Sequence, residues 1–289
     1  MDYGIILPHF SAFAHEDPAN RVLTAATTAE ELGYSTLWVA DHVIFPSKIE
    51  GGYAFNPEDP FLDPLTVLAA LAYKTTKVKL GTAVLILPYR HPLATAKALA
   101  TIDVLSGGRT VVGVGAGWLE QEFTALGTSI KERGARTNET MDIFKAVWTQ
   151  ETPRYAGKHF QFSDIKFIPK PVQRPHPPIL VGGMTKGALR RTARRGDGWI
   201  AMGKRPDDIK EPLETLRELT AQEGRNPDDL QICMLPLGAP SVDQLIQDIP
   251  RYADLGVHHV YLSFRAWTDE FSELMKLMEH FAKEMKLSS

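Results

Sequence analysis

The sequence predicts an α/β fold, a (β/α)8 TIM barrel with insertion segments, on three observations. A helical segment repeatedly stops at a glycine and gives way to a short β-rich run. This happens at Leu32-Gly33-Tyr34 before 35–40, at Arg195-Gly196-Asp197-Gly198 before 199–202, and at Leu255-Gly256 before 257–262. Glycine takes a left-handed helix cap without a Cβ penalty, so such joints mark alternating α and β elements. Eight strand-like and eight helix-like runs can be laid along the chain, which suits a closed barrel better than an open doubly wound sheet. The length of 289 residues exceeds one ordinary domain but fits one barrel.

Strands are expected near 3–7, 35–40, 78–87, 110–114, 179–182, 199–202, 230–235 and 259–264. Helices are expected over 18–32, 63–73, 93–105, 137–149, 185–195, 207–222, 242–255 and 269–286. The last of these shows the pattern plainly: Phe271, Leu274, Met278, Phe281 and Met285 form one stripe, opposite Glu273, Lys276, Glu279 and Lys283. No polar linker divides the chain, so 1–289 reads as a single domain. Three connections are unusually long. Segments 41–62 and 115–136 follow strands and are expected at the C-terminal face, where barrels carry their chemistry. Segment 152–178 precedes a strand and is expected to cap the opposite end, with a short hairpin from 159–162 and 166–168.

Composition narrows the function classes. Apolar residues make up 44% and charged residues 23%, which excludes disordered and fibrous classes. A net charge of −3 without a basic run argues against nucleic acid as a partner. The single cysteine, Cys233, lies in an apolar run and excludes an intramolecular disulfide or a cysteine-based metal centre. The nine histidines are scattered, His258 and His259 point to opposite faces of a strand, and no metal site is expected. The N-terminus lacks a signal-peptide pattern, and no apolar window is long enough for a membrane span. A cytoplasmic protein, with no membrane partner, is the expectation. Neither a G-x-S-x-G elbow nor a Walker A sequence is present.

Several motifs carry candidate chemistry. Asp41-His42 directly follows Trp38-Val39-Ala40, where a barrel strand would exit; a rim hydrogen bond or helix cap is the structural alternative. Val78–Pro88 is long for a strand and contains Gly81 and Ala83, small enough to admit a flat ring or simply a bulge. Gly113-Val114-Gly115-Ala116-Gly117 fails the spacing of a dinucleotide fingerprint but allows close backbone approach to a ligand. Gly182-Gly183-Met184-Thr185 reads as strand, turn and helix start, a ready site for an anion. Met202-Gly203-Lys204-Arg205 offers a second turn with two cations; tight turns alone are the alternative for both.

Together, Leu32–His42, Leu80–Pro92, Leu105–Arg109, Gly113–Trp118 with Glu122-Phe123, Gly134–Arg136, Pro177–Gly183 and Gly196–Trp199 resemble the luciferase-like flavin/deazaflavin oxidoreductase family. The likeness runs in order over nearly the whole chain and is greatest to the coenzyme F420-dependent branch. It implies a cofactor ring at the C-terminal mouth of a bacterial luciferase-like barrel, with a cis peptide at Ala83–Val84 against that ring. It further implies that Asp41 and His42 contact ring or substrate, that Gly115 and Ala116 line the fourth strand exit, and that Gly182, Gly183 and Thr185 hold a phosphate. Met202 and Gly203 complete the expected cofactor site. Sugar-phosphate dehydrogenases of the family carry a carboxylate after the strand 4 glycines; Trp118 here suggests a more apolar substrate. The implied reaction is hydride transfer between F420 and a small organic molecule. His42 would donate or accept the proton, with Asp41 orienting it. An FMN-dependent monooxygenase of the same fold is the alternative, and a non-catalytic flavin-binding barrel a third reading. A homodimer is compatible with all three.

Overall fold

Eight parallel staves close on themselves in the computed structural model, which describes residues 1–48 and 56–288. In chain order the strands are β1 (Asp2–Ile6), β2 (Thr36–Val39), β3 (Lys79–Thr82), β4 (Leu85–Ile86) and β5 (Thr110–Gly115). After a small hairpin of β6 (Tyr155–Ala156) and β7 (Gln161–Phe162) come β8 (Ile179–Gly182), β9 (Gly198–Gly203), β10 (Gln231–Pro236) and β11 (His259–Leu262). β3 and β4 form one stave, since both pair with β5. The barrel closes where β1 pairs with β11, Asp2 opposite His259 and Ile5 opposite Leu262. Around it lie α1 (Pro18–Glu31), α2 (Pro64–Lys74), α3 (Pro92–Leu105), α4 (Glu120–Ala125) and α5 (Arg133–Thr149). The outer ring continues with α6 (Lys186–Arg195), α7 (Lys210–Gln222), α8 (Val242–Asp254) and α9 (Phe271–Glu284).

The strands read as apolar runs because both faces are covered. Trp38, Val111, Leu180, Ile200, Cys233 and Tyr261 pack as one cluster from six different staves, whereas Leu37, Leu80, Val260 and Leu262 belong to a second cluster shared with the helices. Among the described residues no helix is long and apolar enough to cross a membrane.

Four expectations change in detail. Gly33 and Gly256 take the left-handed region, φ 85° and 83°, but Gly196 has φ −83°. Gly196 is needed for space, because a Cβ there would lie 3.1 Å from Val181 and from the Gly198 carbonyl. The long third strand is broken by a cis peptide at Ala83–Val84 into β3 and β4. The hairpin pairs Tyr155 with Phe162 and Ala156 with Gln161, not 159–162 with 166–168. Its turn is fixed by Glu139 of α5, whose carboxylate accepts the N–H groups of Lys158, His159 and Phe160. Segment 152–178 therefore does not simply cap the far end. Its hairpin climbs the flank of α5, and only its last part returns to the strand starts, where Asp103 accepts the Val172 and Gln173 N–H groups.

Candidate active site

Segments 41–48, 56–62 and 115–132 meet at the C-terminal mouth, above β2, β4 and β5. Gly51 and Gly52 of the first connection lie outside the described residues. His42 leaves β2 and lies at the mouth among aromatic rings. Phe45 is tilted against it at 4.6 Å, while Phe61 and Trp118 meet it edge-on at 5.5 and 5.9 Å. Its Nδ1 lies 3.0 Å from Oε2 of Glu122, a residue of α4 with no solvent exposure.

Glu122 does more than touch His42. Its Oε1 accepts the Val43 N–H at 2.6 Å and the Ile44 N–H at 3.2 Å, and the Tyr89 hydroxyl faces the same carboxylate. Burial alone would raise the Glu122 carboxyl, but the donors from His42, Val43 and Tyr89 outweigh it and hold it below its ordinary range. Burial and the nearby Glu122 charge keep the Tyr89 hydroxyl protonated. An ionised carboxylate that accepts two backbone N–H groups and lies 3.0 Å from an imidazole nitrogen is a stable buried anion.

Asp41 does not meet His42 through its carboxylate. Consecutive side chains leaving a strand diverge, and Asp41 turns to the third stave. It accepts the Ile86 N–H at 2.8 Å and both Arg90 nitrogens, at 2.6 and 2.9 Å. The expectation that Asp41 orients His42 is thus corrected: the orienting contact belongs to Glu122, and Asp41 fixes the chain just beyond the cis bond.

The structure joins Val84 to two predicted glycines. A Cβ at Gly115 would lie 2.5 Å from Val84 Cγ2, and one at Gly182 would lie 2.8 Å from Val84 Cγ1. Both glycines therefore leave room for the Val84 side chain. Ala83, Val84 and Ala116 are half-buried and form the floor of the mouth. Thr185 caps α6 by accepting the Ala188 N–H, and Gly183 adopts φ 116°. Beside this turn, the exposed Met202 donates its N–H to Met184 Sδ. Gly203 is half-buried. The turn after it is closed to an anion: Asp208 already takes the N–H groups of Lys204 and Arg205. The expected second phosphate turn is corrected on that ground.

Glu122, Arg90, Tyr89, Phe45 and Phe61 were not among the predicted site residues. Glu122, Tyr89 and Arg90 stood in stretches that the family resemblance had marked, whereas Phe45 and Phe61 did not.

With this geometry in view, the chain belongs to the luciferase-like monooxygenase family, whose description matches residues 1–283. The uncharacterized protein Rv0953c of Mycobacterium tuberculosis (strain ATCC 25618 / H37Rv) is 38% identical over 275 residues, 90% of each chain. The FMNH(2)-dependent dimethylsulfone monooxygenase of Pseudomonas putida is 36% identical over 202 residues, 69% of this chain and 53% of that protein. The F420-dependent glucose-6-phosphate dehydrogenase of Amycolatopsis mediterranei (strain U-32) is 32% identical over 195 residues, 66% of this chain and 56% of that protein. The crystal structure of the monooxygenase RslO1 from Streptomyces bottropensis superposes with a TM-score of 0.76, at 25% identity over 99% of each chain. The relatives thus include both F420-dependent and FMN-dependent enzymes.

Proposed function

We propose that this chain is an F420-dependent oxidoreductase acting on a small, largely apolar organic substrate. The observation that carries the reading is the His42–Glu122 pair, an imidazole held by a buried carboxylate at the barrel mouth. The surrounding residues fit a tricyclic ring with a phosphate-bearing tail. Ala83 and Val84 offer a floor of small, half-buried groups. The start of α6 offers an N-terminal turn capped by Thr185, with open space beside Gly187, where a Cβ would meet nothing closer than 3.8 Å. When bound, the deazaflavin supplies the two-electron hydride chemistry.

The remaining work falls to the chain itself. Thr185 and the neighbouring backbone would hold phosphate, while Phe45, Phe61 and Trp118 exclude water around the imidazole. His42 holds or receives the substrate proton. Trp118 gives the substrate an apolar wall; it is 38% exposed and so available for contact. Equilibrium binding of F420 and of FMN to the purified protein tests the cofactor. Tight F420 binding with weak FMN binding is expected, and the reverse would overturn the proposal.

An FMN-dependent monooxygenase is the second reading, favoured by the 36% identity to the dimethylsulfone enzyme and the likeness to RslO1. Protein-dependent insertion of an oxygen atom from O2 into an organic substrate, with reduced FMN as the reductant, would establish it.

A further inference from the structure

The Glu122 carboxylate accepts the backbone N–H groups of Val43 and Ile44 on one oxygen, and the Tyr89 hydroxyl faces the same carboxylate. A backbone N–H cannot act as an acceptor, so Oε1 is committed as an acceptor. The remaining oxygen meets Nδ1 of His42 at 3.0 Å. We propose that Glu122 is a positioning residue that fixes His42 as its Nδ1–H tautomer, so that Nε2 becomes the nitrogen through which protons pass. This rests on the reading of His42 as the proton-carrying group, and it adds which atom carries the proton and what selects it.

The same carboxylate ties that choice to the chain leaving β2. Because Oε1 pins Val43 and Ile44 while Oε2 pins the ring, the imidazole cannot rotate independently of the segment that bears it. The ring is further confined by Phe45, Phe61 and Trp118. Burial of Glu122 makes the arrangement selective for an anion. Its charge is compensated by the Val43 and Ile44 N–H groups beside the imidazole, whereas an amide in its place would bring two donors of its own into a site that already supplies donors.

That difference supplies the test. In Glu122→Gln the amide oxygen can keep the Val43 and Ile44 N–H bonds. Its NH2 group must then face Nδ1 of His42, which has to become an acceptor, and the ring proton moves to Nε2. Long-range proton–nitrogen spectra of the full chain, labelled with 15N-histidine and recorded above the imidazole titration, distinguish the two tautomers. The chain has nine histidines, so His42 is assigned by difference from His42→Gln.

The expected result is an Nδ1–H ring in the wild type and an Nε2–H ring in Glu122→Gln. An Nε2–H ring in the wild type, or an unchanged Nδ1–H ring in the folded variant, would overturn the assignment. If Glu122→Gln does not fold, the wild-type spectrum alone decides. The measurement needs neither cofactor nor substrate. A failure of the reading of His42 as the proton-carrying group, seen as full turnover in His42→Gln, is therefore separable from a failure of the tautomer assignment.

Discussion

Asp41 and Arg90 form a two-pronged pair, Nη1 to Oδ2 at 2.6 Å and Nη2 to Oδ1 at 2.9 Å, with the Asp41 carboxylate wholly shielded from solvent. Arg90 also reaches Asp63, the N-cap of α2, so one guanidinium links the exits of β2 and β4 to the start of a helix. Removing one partner of a buried pair strands the other without water. Arg90→Met should therefore destabilise the protein by about 3–5 kcal/mol. The double variant Arg90→Met with Asp41→Asn should recover much of that loss, because no uncompensated charge remains. Urea unfolding of the wild type and the two variants measures this, and a loss below about 1 kcal/mol in Arg90→Met would show that the pair is not buried as described.

The contact between Val84 and Gly115 makes a second prediction. A methyl group at Gly115 would sit 2.5 Å from Val84 Cγ2, far inside contact distance. Gly115→Ala should cost about 1–3 kcal/mol by overpacking. Val84→Ala in that background should restore part of it, since the displaced methyl is the one removed. Thermal melts of the double-mutant cycle test the coupling; additive effects would mean that the two side chains do not compete for one space.

The barrel was legible because its signals are local and repeated: helix–glycine joints, apolar strands, and a Thr185 cap at the right offset. The site was legible only where one residue announces itself. His42 stood out as a titratable group at a strand exit. Glu122 did not, because in Glu120-Gln121-Glu122 it resembles a solvated helix face, and its burial depends on donors about 80 positions away. The Asp41–Arg90 pair spans 49 positions and was obscured by the adjacency of Asp41 and His42, which suggested a partnership although the Asp41 carboxylate is taken up by Arg90 and the Ile86 N–H. The role of Gly115 was equally hidden. Its spacing pointed to a ligand, while the structure sets it against the Val84 side chain, 31 positions earlier in the chain.

Under the proposed function, His42→Gln should lower kcat by roughly 10²–10⁴-fold, the usual contribution of a positioned acid or base. KM should change little, because the apolar wall of Phe45, Phe61 and Trp118 remains. Steady-state kinetics with the bound cofactor measure the split. Unaltered kcat would remove His42 from proton transfer and leave it as a packing residue of the mouth.

Two buried histidines make stability depend on pH in a defined window. His9 donates from Nδ1 to the Leu7 carbonyl and accepts the Ala40 N–H at Nε2, so its neutral ring satisfies both neighbours. His259 accepts the Trp38 indole N–H at Nε2. Burial lowers the His9 pKa to about 4 and that of His259 to about 3. In the unfolded chain both take up a proton near pH 6.5. Between these values the unfolded state binds more protons, so the stabilisation is complete above about pH 6.5 and declines as the pH falls. Each ring removes up to about 1.4 kcal/mol per pH unit through that window. The melting temperature should therefore drop steadily from pH 7 to pH 5, before ordinary carboxylates begin to titrate. His259→Gln, which keeps an acceptor for Trp38, should show a shallower slope. A melting temperature that stays flat from pH 7 to pH 5 would mean that neither ring is held neutral by burial.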